Sequence, residues 1–373
     1  MKTHISKSLL MLTLLLSAFS CKEKPKSQET KETSSETEEV AKPSSYAASE
    51  VTPAFSADGT NKDVTYTTLD KATKPWKICV SFPHMKDAYW LGVNYGVSDQ
   101  AKKMGVQMNL VEAGGYTNLN RQISQIEDCV ASGADAVVIG AISGDGLNNI
   151  IKEISDKGIP VIDLVNGVTS SDIKAKSLVS FYTMGYETGA FLAKKHPSGS
   201  EAVKVGWFPG PAGAAWVEAA HRGFMDAVNG SALEILEPKF GDTGKEVQLK
   251  LVEDVLQSNP DVKYIAGTAV TAEAAQGLIR EQNLVGKVNL LAFYMTPGVY
   301  TGIERGFIMA APAGGMVLQG RFAIDQAVRI LEGKPYIKHV GPKIVVVNKD
   351  NINDIPRADI LPPVNYKPEF NIN

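Results

Sequence analysis

From Trp76 onward the chain alternates between short apolar runs and longer stretches in which apolar residues recur every three or four positions. The first pattern is that of a strand buried on both faces, the second that of an amphipathic helix. The periodicity predicts strands at 78–82, 108–113, 136–141, 160–165 and 177–181, with helices at 89–104, 119–131 and 147–157 between them. After a helix at 184–195 a second series begins. It has strands at 203–208, 234–237, 264–269 and 288–293 and helices at 215–228, 245–257 and 272–281. Apolar strands separated by helices form parallel sheets covered on both faces. The fold class is therefore α/β, with two doubly wound parallel-sheet domains, an N-terminal lobe at 76–182 and a C-terminal lobe at 183–293, and a cleft between them. A short helix, a strand at 307–311, a helix at 316–331 and a strand at 343–347 follow. Of these, 294–315 is expected to return to the first lobe and 316–350 to be partly shared with the second, giving a hinge with several crossings. Residues 351–373 are a tail.

Ahead of Trp76 the pattern is different. Lys2 and Lys7 precede an apolar core at 9–16 that is too short to span a bilayer, so 1–20 is an export signal. Cys21 follows small residues and resembles a bacterial lipoprotein processing site; the other reading is ordinary signal cleavage with Cys21 incidental. Export places the protein in the periplasm, and lipidation would hold it to a membrane. Residues 22–62 are rich in Lys, Glu, Thr, Ser and Pro, with few large apolar side chains to offset the entropy of ordering. The span 21–75 therefore reads as an acidic, lipid-anchored tether followed by a transition into the first lobe.

Composition narrows the function. With 44% hydrophobic and 21% charged residues the chain is an ordinary globular protein, and a formal net charge of −3 gives no basis for binding nucleic acid or an anionic membrane surface. No phosphate-cradling glycine loop, nucleophile elbow or metal-spaced histidine group occurs, so neither a cofactor nor a metal nor an enzyme activity is expected. Cys79 begins the first strand and Cys129 ends the second helix, which puts both at the amino-terminal edge of the sheet. With a strand order 2-1-3-4 that helix crosses the first strand. A disulfide and a pair of buried thiols are both open.

The candidate chemistry is aromatic. Tyr89 and Trp90 stand in the first helical turn after the first strand, and Tyr116 follows the second strand behind Gly114 and Gly115. Phe181 with Tyr182, and Phe293 with Tyr294, end two later strands. Any one of these is ordinary core. Their shared place at carboxyl ends of strands, where open α/β sheets bind ligands, points to one lined cleft. Rings without a basic partner suit a methylated cation, whose charge meets the negative ring faces. Asp87 reads equally as a counter-charge and as a helix N-cap. Sugar clefts also use rings, and Asn94 and Asn118 keep that alternative open.

These residues carry a resemblance. KDAYWLGVNYG, EAGGY, the MGY at 184–186, the PGP at 209–211, GTAVTAEAA from Gly267 and AFYM from Ala292 resemble the TorT family of periplasmic trimethylamine-N-oxide-binding proteins. The similarity runs from Trp76 to about Val347. It implies the type I periplasmic-binding fold, a partnership with a membrane sensor histidine kinase of the TorS type, and an aromatic cage. That cage maps onto Tyr89, Trp90, Tyr116 and Tyr294, with Asp87 beside them and Phe181 where the family has tryptophan. The alternative function is a substrate-binding lipoprotein of an ABC importer for a sugar or small osmolyte. Lipidation is directly testable: Cys21→Ser is expected to move the protein from the membrane to the soluble fraction. A wild-type protein free of lipid by mass spectrometry would contradict the anchor.

Overall fold

The computed structural model describes residues 44–56 and 59–373. The expected export signal, Cys21 and the first part of the expected tether lie outside the described residues.

The second part of that tether is not a tether. Ser45–Thr52 (β1) and Thr60–Thr67 (β2) form an antiparallel hairpin paired over eight residues. Its composition is polar because one face and one edge meet water. On the other face Ala48 and Tyr66 pack against Leu318, Phe322 and Val340. The Tyr66 hydroxyl and the Leu69 amide each donate to the buried Asp325 carboxylate at 2.6 Å, and Arg329 Nε donates to the same group. The period-two alternation of a half-buried strand is present in DVTYT, but the mean composition hides it.

The first lobe then follows the predicted rhythm: β3 (Lys77–Phe82), α1 (Ala88–Met104), β4 (Gln107–Glu112), α2 (Leu119–Ala131), β5 (Ala136–Ile139), α3 (Asn148–Asp156), β6 (Val161–Leu164) and β7 (Ala175–Ser177). Here β4-β3-β5-β6 lie parallel in the expected 2-1-3-4 order. Since α2 crosses β3, Cys79 and Cys129 are brought to a Cα separation of 6.0 Å and are joined by a disulfide. The second lobe contains α4 (Phe181–Ala193), β8 (Val203–Phe208), α5 (Ala215–Val228), β9 (Leu233–Ile235), α6 (Lys245–Ser258), β10 (Tyr264–Gly267), α7 (Ala269–Glu281) and β11 (Asn289–Ala292). Its parallel sheet has the order β11-β10-β8-β9.

The assignment of the later elements differs from expectation. The helix α8 (Pro297–Glu304) packs on α7, and β12 (Ala310–Ala313) follows beside β11, so this stretch continues the second lobe rather than returning to the first. The long helix α9 (Met316–Leu331) packs on α1 and on β5, β6 and β7 and so belongs wholly to the first lobe. Next, β13 (His339–Pro342) pairs with β7 and β1, whereas β14 (Val345–Asn348) pairs with β12. Apolar periodicity defines each element but does not say which of two equally apolar sheets covers it. The chain crosses between lobes at 178–180, 314–315 and 343–344. These crossings touch: a Cβ added at Gly341 would lie 1.7 Å from the Leu178 carbonyl oxygen, and one at Gly315 would lie 2.7 Å from Pro342 Cβ.

Two contacts fix α1. A Cβ on Gly96 would lie 2.1 Å from the Val317 carbonyl oxygen, so the absence of a side chain lets α9 cross at backbone distance. The C-terminal segment, after α10 (Arg357–Ile360), lies across the same helix and ends in β15 (Asn371–Ile372), antiparallel to β4. Asn94, fully buried in α1, holds this segment. Its Nδ2 donates to the Glu369 carbonyl at 2.7 Å, and its Oδ1 accepts from the Tyr366 hydroxyl at 2.7 Å and the Glu369 amide at 2.9 Å. Stranding such groups costs about 1–3 kcal/mol each. Asn94→Ala is therefore expected to lower Tm by several degrees while leaving ligand affinity unchanged. An unchanged Tm with lost affinity would return Asn94 to the ligand site.

Candidate ligand-binding site

At the end of β3 the chain turns through Pro83 and enters α1 at Asp87. The Asp87 backbone is extended (φ −113°, ψ 161°), and its Oδ1 accepts from the amides of Tyr89 at 3.0 Å and Trp90 at 3.2 Å. This is N-capping: a side-chain oxygen takes up amides that have no partner within the helix. The same carboxylate also lines an interlobe cavity of about 280 Å3, mouth included, so the cap and counter-charge positions coincide. Burial pushes the Asp87 carboxyl above its ordinary value, against the opposing pull of His84 and the two amides.

The first turn of α1 supplies two rings. Trp90 packs on Phe82 at 4.6 Å between centroids and lies over Gly140, where an added Cβ would be 2.4 Å from Trp90 Cη2. Tyr89 meets Tyr294 edge-on at 5.3 Å, and its hydroxyl accepts from Gln319 Nε2 at 2.9 Å. The Tyr116 hydroxyl accepts from Asn166 Nδ2 at 3.0 Å. Because both hydroxyls accept, their protons remain free to donate. Burial raises the pKa of Tyr89, Tyr116 and Tyr294, so all three stay protonated.

From the second lobe come Phe181, Trp216 and Tyr294. Phe181 does not end a strand as expected: Ser180 caps α4 through the Thr183 amide at 3.0 Å and puts Phe181 in the first helical turn. It still reaches the cavity. All six residues expected at the site, Asp87, Tyr89, Trp90, Tyr116, Phe181 and Tyr294, line this one space.

Sequence reading missed Trp216, Asn166, Val165 and Thr243, which also line it. Trp216 stands in the first turn of α5 and contacts Phe181 at 5.5 Å, Tyr116 at 6.1 Å and Tyr294 at 6.3 Å. The signal was available: an aromatic in the first helical turn after a strand, as at Tyr89 and Trp90. Among the described residues its buried Nε1 has no hydrogen-bond partner within normal geometry. Val165 adopts φ +68°, a strained conformation for a β-branched residue, at the turn that presents Asn166. Neither asparagine weighed for a sugar reaches the cavity. Asn94 holds the C-terminal segment, and Asn118 Nδ2 donates to the Ala113 carbonyl at 2.9 Å.

His84 packs behind the lining, 5.2 Å from Tyr116 and 6.4 Å from Trp90 between ring centroids. Its Nδ1 accepts from the Lys86 amide at 3.2 Å, so Nε2 carries the proton and donates to Thr243 Oγ1 across the lobes at 3.4 Å. Burial lowers its pKa, against the raising pull of Asp87. The result is a ring-walled space with one carboxylate, no basic lining residue among the described residues, and hydroxyl and indole donors for an acceptor atom. Among the described residues no group of His, Cys, Asp or Glu is arranged to hold a metal ion.

Known proteins agree with this architecture. Residues 78–335 match the periplasmic binding protein domain family. The chain is 34% identical over 325 residues to periplasmic protein TorT of Escherichia coli (strain K12), covering 85% of this chain and 93% of that protein. A ribose import binding protein of Bacillus subtilis (strain 168) is 23% identical over 268 residues, 72% of this chain and 85% of that protein. Among solved structures, an ABC transporter solute binding protein from Bradyrhizobium sp. BTAi1 with bound Bis-Tris is 72% identical, with a TM-score of 0.78 over 87% of this chain and 98% of that one. The complex of the TorS sensor domain with TorT in the presence of TMAO (trimethylamine N-oxide) matches at 34% identity and a TM-score of 0.74, over 79% of this chain and 99% of that one. The chain belongs to the periplasmic binding proteins, a family of non-catalytic binding proteins with the type I fold, and that membership supports a periplasmic location.

Proposed function

We propose that the protein captures a small methylated amine, with trimethylamine N-oxide as the reference ligand, in the aromatic cage between its lobes. One observation carries this reading: six lining residues are Tyr, Trp or Phe, a single one is ionisable to a charge at neutral pH, and that one is Asp87. Ring faces attract a cation by about 0.5–2 kcal/mol each, so several rings contribute a few kcal/mol before the costs of association. A trimethylammonium group offers three polarised methyl faces to such walls. The N-oxide oxygen needs donors, and Trp216 Nε1 with the Tyr89 and Tyr116 hydroxyls provides them. A sugar would need several carboxamides and charged groups around its hydroxyls, and Asn94 and Asn118 are engaged elsewhere.

Closure of the lobes over the ligand would present a changed surface to a partner. By likeness to the protein solved with the TorS sensor domain, that partner is the periplasmic domain of a sensor histidine kinase. A second reading has its own support. The 72% identical protein is described as an ABC transporter solute binding protein, and it holds Bis-Tris, a tertiary amine with hydroxyalkyl arms. Under that reading the same cage serves uptake of a small osmolyte, and the docking partner is a permease. A neighbouring gene for a permease with its ATPase favours uptake, whereas one for a hybrid sensor kinase favours sensing. On either reading Cys21 would hold the protein at the membrane.

The cage is tested by calorimetry on ring variants. Trp90→Ala is expected to weaken trimethylamine N-oxide binding by about ten-fold or more, and Trp90→Leu, which keeps bulk without ring charge, nearly as much. Trp216→Phe removes the indole donor together with part of the ring face, so it should weaken the N-oxide more than tetramethylammonium. Unchanged binding in both Trp90 variants, with native circular dichroism, would remove the cage from the account.

A further inference from the structure

The cage adjoins a second cavity at the lobe boundary, of about 820 Å3 counting its open mouth. Asp87 and Thr243 line both spaces and so form the wall between them. The two spaces differ in charge. The cage has a carboxylate and no basic group, whereas the outer cavity carries Lys86 from the first lobe and Lys245 from the start of α6.

These lysines are the groups with capacity to spare. Lys86 Nζ stands 3.6 Å from Asp242 Oδ2 in a half-exposed pair, a geometry that contributes little. Lys245 is exposed and forms no close ion pair with a described residue, though its charge acts on Glu273 across the cavity. The two carboxylates facing the outer cavity are accounted for by helix starts. Asp87 caps α1. Glu273 accepts from the hydroxyl of Thr296, the N-cap of α8, and occupies the space left by Gly298, where an added Cβ would lie 2.5 Å from Glu273 Cδ. The arrangement is an anion among rings on the inside and two ammonium groups outside.

Building on the cage reading above, we propose that the two cavities form one site for zwitterionic trimethylammonium carboxylates. The ammonium head fills the cage, the chain passes beside Asp87 and Thr243, and the carboxylate meets Lys86 and Lys245. Trimethylamine N-oxide, whose oxygen is bonded directly to nitrogen, fills the inner part alone. A longer betaine uses both.

The test is calorimetry of the full chain and of Lys245→Gln with three probes: tetramethylammonium, 4-trimethylammoniobutyrate and the methyl ester of that acid. Wild type is expected to bind the acid about ten-fold more tightly than the ester, since only the acid has an anionic tail. Lys245→Gln should shrink that advantage to about three-fold or less and leave tetramethylammonium within about two-fold. The proposal is overturned if tetramethylammonium binds while the acid does not, if acid and ester bind alike, or if Lys245→Gln leaves the acid's advantage intact. Failure of tetramethylammonium itself to bind wild type would overturn the cage reading, and this inference with it.

Discussion

The site depends on how a half-buried carboxylate is satisfied. Asp87 is half-buried in the turn after β3, between the cage and the outer cavity, where donors must replace part of the solvent it has lost. The amides of Tyr89 and Trp90 replace part of it, and in doing so they start α1 and aim both rings into the cavity. One interaction therefore sets the helix start, the ring positions and the sign of the charge. The compensation is incomplete, since burial still holds the carboxyl above its ordinary pKa. A cation among the rings would supply the remainder.

The rest of the fold packs closely against that corner on the α1 side. Gly96 lets α9 cross α1 at backbone distance, and Asn94 ties the C-terminal segment across the same helix. The opposite wall carries Phe181, which begins α4 just beyond the first crossing, and Trp216, which begins α5. Between the walls run the His84–Thr243 hydrogen bond and the loose Lys86–Asp242 pair. These polar contacts contribute modestly, so opening the cleft need not disrupt either core.

Much of this was legible in the sequence because it follows from periodicity. Strands buried on both faces and amphipathic helices announce themselves, and the rule that ligands meet strand carboxyl ends selected Tyr89, Trp90, Tyr116 and Tyr294. The same rule applied to the strand at 203–208 would have selected Trp216, which lies farther from its strand, behind PGPAGA. Asn166 was hidden because its approach depends on the left-handed backbone of Val165, and no β-branched residue advertises that conformation. The hairpin at 45–67 was misjudged because average polarity outweighed a few alternating apolar residues, whose buried partners lie on α9 more than 250 residues away. The lobe assignments of α8 and α9 rest on which sheet is nearer, and periodicity carries no such information.

The claim that rings and a single carboxylate select a methylated cationic nitrogen is tested most directly by a matched pair of ligands. Trimethylamine N-oxide and tert-butanol have nearly the same shape, but only the first has a cationic centre. Titration of the wild-type protein with each, beside ribose, should show the N-oxide binding and tert-butanol weaker by about ten-fold or more. Equal binding of the matched pair, or binding of ribose without response to the N-oxide, would contradict the account.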